Sequence, residues 1–313
     1  MRSYAVPIFV LLSMLGPMLS AQQNIAETIV PYTYQTQYVQ VDDSINLAYI
    51  DEGMGKKSLI FIHGLATYLP SWYPVFNQLK SEYRCIAVDL PGYGRSSKAE
   101  YPCTMDFYAN VVLELTTKLN LKNPVMVGHS MGAQIAVSAV LKKPALFEEL
   151  ILLAPAGFET FKPEQAAWLK QVSTVDFICH ATDEQVRTNW KLNFYDMPES
   201  VEFMIQDRLK MKEATDFRLY GRSIVRSIHG MLDQPVFGRL QDLKTKTLVV
   251  YGKNDLLIPN RYLNKEWTTE AVAKSGADKI PNAQLEFIRD CGHFIMFDQP
   301  ERVNKLLRSF LNE

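Results

Sequence analysis

An excess of charge of either sign is missing from this sequence. Lys and Arg number 33 against 34 for Asp and Glu, a formal net charge of −1, so no general surface for polyanions is implied and nucleic acid is not expected as a partner. Cysteine is scarce. The four, Cys85, Cys103, Cys179 and Cys291, form neither a CxxC pair nor a Cys/His cluster, so no metal site is expected. Beyond the N-terminal segment there is no apolar run long enough to span a membrane. Internal repeats and low-complexity linkers are also lacking. What is present is an ordinary globular composition of 313 residues, 47% apolar and 21% charged, enough chain for one or two domains and a large core.

The N-terminal segment stands apart. Arg2 is followed by an apolar run over 4–19, broken by Pro7, Gly16 and Pro17, and then by the small residues Ser20 and Ala21. This reads as a signal peptide over 1–21, cleaved near Ala21, in preference to a retained membrane anchor. A secreted or periplasmic protein with no membrane span after cleavage follows. Export would place the four cysteines where disulfides form; four thiols allow three full pairings and their spacing does not choose among them. Cys85 lies in a strand-like run where a free buried thiol is the simpler reading.

Past the leader, residues 38–41 and 45–50 read as a hairpin. Short apolar runs without alternation follow at 58–62, 84–88, 125–128 and 150–153, separated by helical patterns around 72–80, 105–119 and 131–141. Continuous apolar strands between helices predict an α/β fold with a mostly parallel central sheet covered by helices on both faces. The alternation stops after Pro155 and resumes with a run at 247–251, a helix around 262–273, a run at 284–288 and a last helix after Pro300. In that helix Val303, Leu306, Leu307, Phe310 and Leu311 form one apolar stripe. The division expected is therefore a core of 22–155 and 244–313 with a helical cap, or lid, inserted at 156–243.

The five residues Gly128-His129-Ser130-Met131-Gly132 fall between an apolar strand and an apolar helix. A serine at such a strand-turn-helix elbow takes a strained backbone conformation, and the flanking chain comes so close that glycine is needed two residues before and two after it. A serine hydroxyl needs a histidine base and an acid to orient that base. Of the five histidines, His293 lies in a loop after the final strand, at the carboxyl edge of the sheet. Asp255 follows the resumed strand at the same edge, giving the order Ser130, Asp255, His293; Glu159 is the reserve acid. The Met131 amide at the helix N-terminus and the Leu65 amide, after the turn at Gly64, are the expected oxyanion donors. His63 is read as structural, and His129 as pointing away from the site.

Five stretches carry a resemblance: His63-Gly64-Leu65, 89–97 (DLPGYGRSS), the elbow, 252–255 (GKND) and Gly292-His293. Together they resemble the α/β-hydrolase family, in its lidded branch, over about 36–313. The stretch 152–161 looks like the strand-to-lid passage of monoacylglycerol-type lipases. Ser130 stands where related dehalogenases and epoxide hydrolases have aspartate. The resemblance implies a serine hydrolase that needs no cofactor and cleaves carboxylic esters, short acyl or monoacylglycerol-like, through an acyl-enzyme. Two alternatives remain open: a carbon–carbon bond hydrolase of the same fold, and a non-catalytic ligand-binding protein on a hydrolase scaffold. Cap residues such as Trp168, Trp190, Phe194, Tyr220 and Met231 suggest an apolar pocket in which two or three would touch substrate, the remainder forming the cap's own core. The oligomeric state is open.

Overall fold

The computed structural model describes residues 22–312, and the leader read at 1–21 lies outside the described residues. Eight strands form one sheet: β1 (Gln37–Asp42), β2 (Ile45–Glu52), β3 (Ser58–Ile62), β4 (Arg84–Val88), β5 (Val125–His129), β6 (Glu149–Leu153), β7 (Lys246–Gly252) and β8 (Ala283–Ile288). Their spatial order is β1-β2-β4-β3-β5-β6-β7-β8. The pairings β1–β2 and β2–β4 are antiparallel and all others parallel. Burial follows position in that order. Every residue of β3, β5 and β6 is buried, which is why these runs are apolar without alternation, whereas β1 at one edge alternates between half-buried and exposed.

Among the described residues, twelve α-helices accompany the strands. In the first half these are α1 (Ile25–Thr28), α2 (Tyr73–Leu79), α3 (Met105–Lys118) and α4 (Met131–Lys142). The stretch between β6 and β7 contributes α5 (Pro163–Val172), α6 (Val175–Cys179), α7 (Asp183–Lys191), α8 (Glu202–Lys210) and α9 (Phe217–Asp233), and the chain closes with α10 (Thr269–Ala277), α11 (Ile295–Asp298) and α12 (Pro300–Asn312). The stripe of α12 is the core face foreseen: Val303, Leu307, Phe310 and Leu311 are buried. The helix read around 262–273 is misplaced. Asn260 Oδ1 accepts from the Tyr262 and Leu263 amides and holds the chain in a turn, and the helix starts only where Thr268 Oγ1 accepts from the Ala271 amide at 3.1 Å.

The inserted helices are fastened to the core from several sides. Tyr220 Oη of α9 donates to the Ala66 carbonyl, and Gly230 lies so close to the Cys103 carbonyl that a Cβ would sit 2.7 Å from it. The segment around α1 reaches across both parts. Its Ile25 amide donates to Asp216 and its Val30 amide to Asp207, while Arg95 of the core donates to the Ile29 carbonyl. All four cysteines are free thiols, so no disulfide joins the insertion to the core. Among the described residues, no helix is long and apolar enough to cross a membrane, and no group of three or more His, Cys, Asp or Glu is placed to hold a metal.

Candidate active site

The end of β5 and the start of α4 meet at Ser130, whose backbone has φ 53° and ψ −118°. A non-glycine residue held there costs on the order of 1–3 kcal/mol, sustained only when its surroundings over-determine it. They do so here. The Ser130 amide donates to the Leu153 carbonyl at 3.0 Å, and its carbonyl accepts from the Ala133 and Ala156 amides. A Cβ on Gly128 would lie 2.4 Å from the Gly132 carbonyl oxygen, and one on Gly132 would lie 2.2 Å from that of Ile62, so both glycines are required.

Asp255 and His293 come together from the turns that follow β7 and β8. His293 Nδ1 and Asp255 Oδ2 are 2.7 Å apart, and both residues are buried. The other carboxylate oxygen, Oδ1, accepts from the Leu257 and Ile258 amides at 2.8 and 3.0 Å, which fixes the plane of the acid. Glu159 is engaged elsewhere: its Oε1 accepts from the Asn260 amide and from Asn264 Nδ2. Burial raises its carboxyl above the ordinary value, and its two hydrogen bonds oppose that shift. Ser130 and His293 both line one cavity of about 730 Å³. Their side chains are not hydrogen-bonded to each other, and a serine–histidine contact of this kind can tighten when substrate binds.

The loop after β3 lies against the serine. Gly64 allows this approach, because a Cβ there would be 2.9 Å from His129 Nδ1 and 3.3 Å from Ser130 Cβ. Leu65 lines the cavity and Met131 is the buried first residue of α4. Among the described residues neither amide is committed to a bond within the protein, so both N–H groups are free to face an oxyanion. His63 is a structural tie. Its Nε2 accepts from the Leu90 amide at 3.1 Å, which puts the proton on Nδ1 to donate to the Gly64 carbonyl at 2.8 Å. Burial lowers its pKa to about 4, so the ring is neutral.

A family profile described as alpha/beta hydrolase fold matches residues 57–300. The chain belongs to the alpha/beta hydrolase fold family. It is 27% identical over 293 residues to a 2-hydroxy-6-oxononadienedioate/2-hydroxy-6-oxononatrienedioate hydrolase of Paraburkholderia phymatum, covering 89% of this chain and 96% of that one. By structure it is similar to a probable hydrolytic enzyme of Pseudomonas aeruginosa, with TM-score 0.82, 22% identity and coverage of 93% and 98% of the two chains. It is also similar to a thermophilic esterase of Thermogutta terrifontis, with TM-score 0.72, 24% identity and coverage of 89% and 98%.

Two features of this alpha/beta hydrolase escape its sequence. His129 does not point away from the site: it lines the cavity, and its Nε2 donates to the His293 carbonyl at 3.0 Å, bracing the loop that carries His293. Burial, and then the neighbouring His293, hold it well below the ordinary histidine value, so it remains neutral. The signal available was its place as the last residue of a strand buried on both faces, where a polar side chain must find its partner inside. The second concerns the cap. Of its named aromatics and methionines only Met231 lines the cavity; Leu169, Leu192, Ile228 and Leu232 supply the apolar wall. Phe161 and Phe237 also face the cavity, whereas Trp190 and Phe194 stack on Phe294 beside His293.

Proposed function

We propose that this hydrolase cleaves carboxylic esters with apolar acyl groups, of short-chain or monoacylglycerol type, through an acyl-enzyme. Ser130 Oγ attacks the ester carbonyl while His293 takes its proton, and Asp255 holds the imidazole in the required tautomer and stabilises its charged form. The Leu65 and Met131 amides receive the oxyanion. His293 then protonates the departing alkoxide, and a water activated by the same base releases the acid. No cofactor enters this scheme.

The observation that carries the reading is the cavity lining. It contains Ser130 and His293 and is otherwise largely apolar; among the described residues it includes no Lys or Arg, and its only carboxylate is Glu159. The name of the Paraburkholderia relative specifies a dicarboxylate substrate. Two added negative charges in this cavity would meet Glu159 and no fixed cation, an arrangement that desolvation makes costly. A neutral ester meets no such cost. The relatives' sequences favour a second reading, carbon–carbon cleavage of ring-fission products, and a wall without a cation opposes it.

The leader at 1–21 supports action outside the cytoplasm, secreted or periplasmic, with anchoring by an uncut leader as the alternative. The free thiols are compatible with that setting. Burial raises Cys85 to about 12, which keeps it protonated and unreactive. The test is a series of nitrophenyl esters of rising acyl length, a monoacylglycerol and the dienedioate, each given to wild type and Ser130→Ala. Ester turnover that falls on the order of 10⁴-fold or more in the variant is expected. Turnover of the dienedioate with none of any ester would overturn the reading.

A further inference from the structure

Among the described residues, eleven large hydrophobic side chains stand exposed, and seven of them lie on three segments that also line the cavity. Leu192 and Leu257 belong to the wall and are themselves exposed, which marks them as its mouth, and exposed Tyr195 lies two residues beyond Asn193 of the wall. Trp168 and Val172 lie four residues apart on α5, the helix whose Ala166 and Leu169 face the cavity. Tyr262 and Trp267 stand on the turn after β7, two and seven residues beyond Asn260, which lines it. Gln165 Nε2 of α5 donates to the Leu263 carbonyl, so these two segments are side by side. Tyr262 is 82% exposed, and Trp168 and Trp267 are the two exposed tryptophans of four, Trp72 and Trp190 being buried.

We propose that this rim is a docking face for a phospholipid surface, from which an ester with an apolar chain passes directly into the cavity. The proposal rests on the ester reading above for its substrate but not for its contact. Scattered exposed apolar residues are ordinary; a set gathered around one apolar opening is not. Tryptophan and tyrosine, apolar in body and polar at the tip, suit the level of lipid headgroups. Exposed cations stand among them: Lys162 precedes α5, Lys191 ends α7, and Arg261 and Lys265 flank Tyr262, none of them ion-paired among the described residues. Their stems can lie along the apolar rim while their heads reach lipid phosphates. Exposed Glu164, Asp196 and Glu266 temper that charge, which makes apolar insertion the larger contribution and charge the smaller.

The test uses the full chain carrying Ser130→Ala, mixed with phosphatidylcholine vesicles that contain phosphatidylglycerol and brominated acyl chains. Residues 1–21 hold no tryptophan and Trp72 and Trp190 are buried, so quenching reports Trp168 and Trp267. Quenched emission is expected, with a blue shift. In the otherwise unmodified enzyme, the triple change Trp168→Gln, Tyr262→Ser and Trp267→Gln should leave turnover of a water-soluble short ester within about twofold. Turnover of a monoacylglycerol embedded in vesicles should fall at least tenfold. Unquenched emission would overturn the proposal, as would equal loss on both substrates, or a dimer in sedimentation that the triple change dissociates, which would mean that a second copy covers the rim. Quenching is read without turnover, so a failure of the ester reading leaves the docking result standing.

Discussion

On the sheet side of the cavity, directional bonds fix the groups assigned to chemistry. Backbone amides hold Asp255, His63 bridges Gly64 and Leu90, and His129 grips the carbonyl of His293. On the side of the inserted helices the wall is mostly apolar, built from Phe161, Leu169, Leu192, Ile228, Met231, Leu232 and Phe237, with Asn189 and Asn193 as its polar members. Atoms that react must be held to about half an ångström. A wall that receives an acyl chain needs only to be apolar and of the right size. Changes to the floor should therefore alter how fast the enzyme works, and changes to the roof which substrate it takes.

The strongest way to break this division is to separate its two carboxylates. Asp255→Asn keeps the shape of the acid but presents the wrong hydrogen-bonding partner to His293 Nδ1, and by analogy with another serine triad turnover should drop on the order of 10⁴-fold. Glu159→Gln should change it less than about tenfold, because Glu159 bonds Asn260 and Asn264 and not the base. Ester kinetics on both variants, with circular dichroism to confirm folding, decide the matter. The reverse pattern would move the acid to Glu159.

A smaller effect is expected from the oxyanion loop. Gly64→Ala would place a methyl 2.9 Å from His129 Nδ1 and 3.3 Å from Ser130 Cβ, forcing the loop outward by a few tenths of an ångström. With the Leu65 amide displaced, kcat should fall on the order of 10²-fold with KM little changed. A rise in KM alone would show that Gly64 serves binding and that Leu65 is not a donor.

The floor should also reveal itself in stability against pH. His63 is buried neutral, with a pKa near 4 against 6.5 unfolded, so below the unfolded value the unfolded state binds the extra proton. Its contribution is full above about pH 6.5 and is lost as pH falls toward 4, amounting to about 2 kcal/mol by pH 5. His129 acts in the same direction. Thermal unfolding of wild type and His63→Gln between pH 7.5 and 5 should show the variant's midpoint falling less steeply. Parallel slopes would mean that His63 does not carry the dependence.

These groups were unequally legible in the chain. The sheet was, because buried parallel strands must be apolar throughout, and Ser130, Asp255 and His293 were, because each sits just past a strand end that the pattern located. His129 was not, since its partner is a carbonyl 164 residues away. The stretch 262–268 read as helix because Asn260 and Asn264 act through side-chain bonds to backbone amides and to Glu159, which periodicity does not register. The cap's lining was misjudged for a related reason: Trp190 and Phe194 are spent against Phe294, so the space is faced chiefly by aliphatic side chains together with Phe161 and Phe237.

The smallest effect belongs to that aliphatic wall, and it sharpens the division most. Ile228 lies on α9, lines the cavity and is only half-buried, so a larger side chain has room to turn inward without unseating the helix. Ile228→Phe should shorten the preferred acyl chain by one or two carbons, and Ile228→Ala should lengthen it by about as much. Each methylene excluded or admitted is worth about 0.8 kcal/mol, roughly fourfold in kcat/KM. The preferred ester of each variant should keep nearly the wild-type kcat, because no group that touches the carbonyl has moved. The profile of kcat/KM against acyl length for the three proteins should therefore be one curve displaced sideways. A curve lowered at every length, with its maximum unmoved, would assign Ile228 to the floor, acting through α9 and the Tyr220 bond to Ala66 on the oxyanion loop.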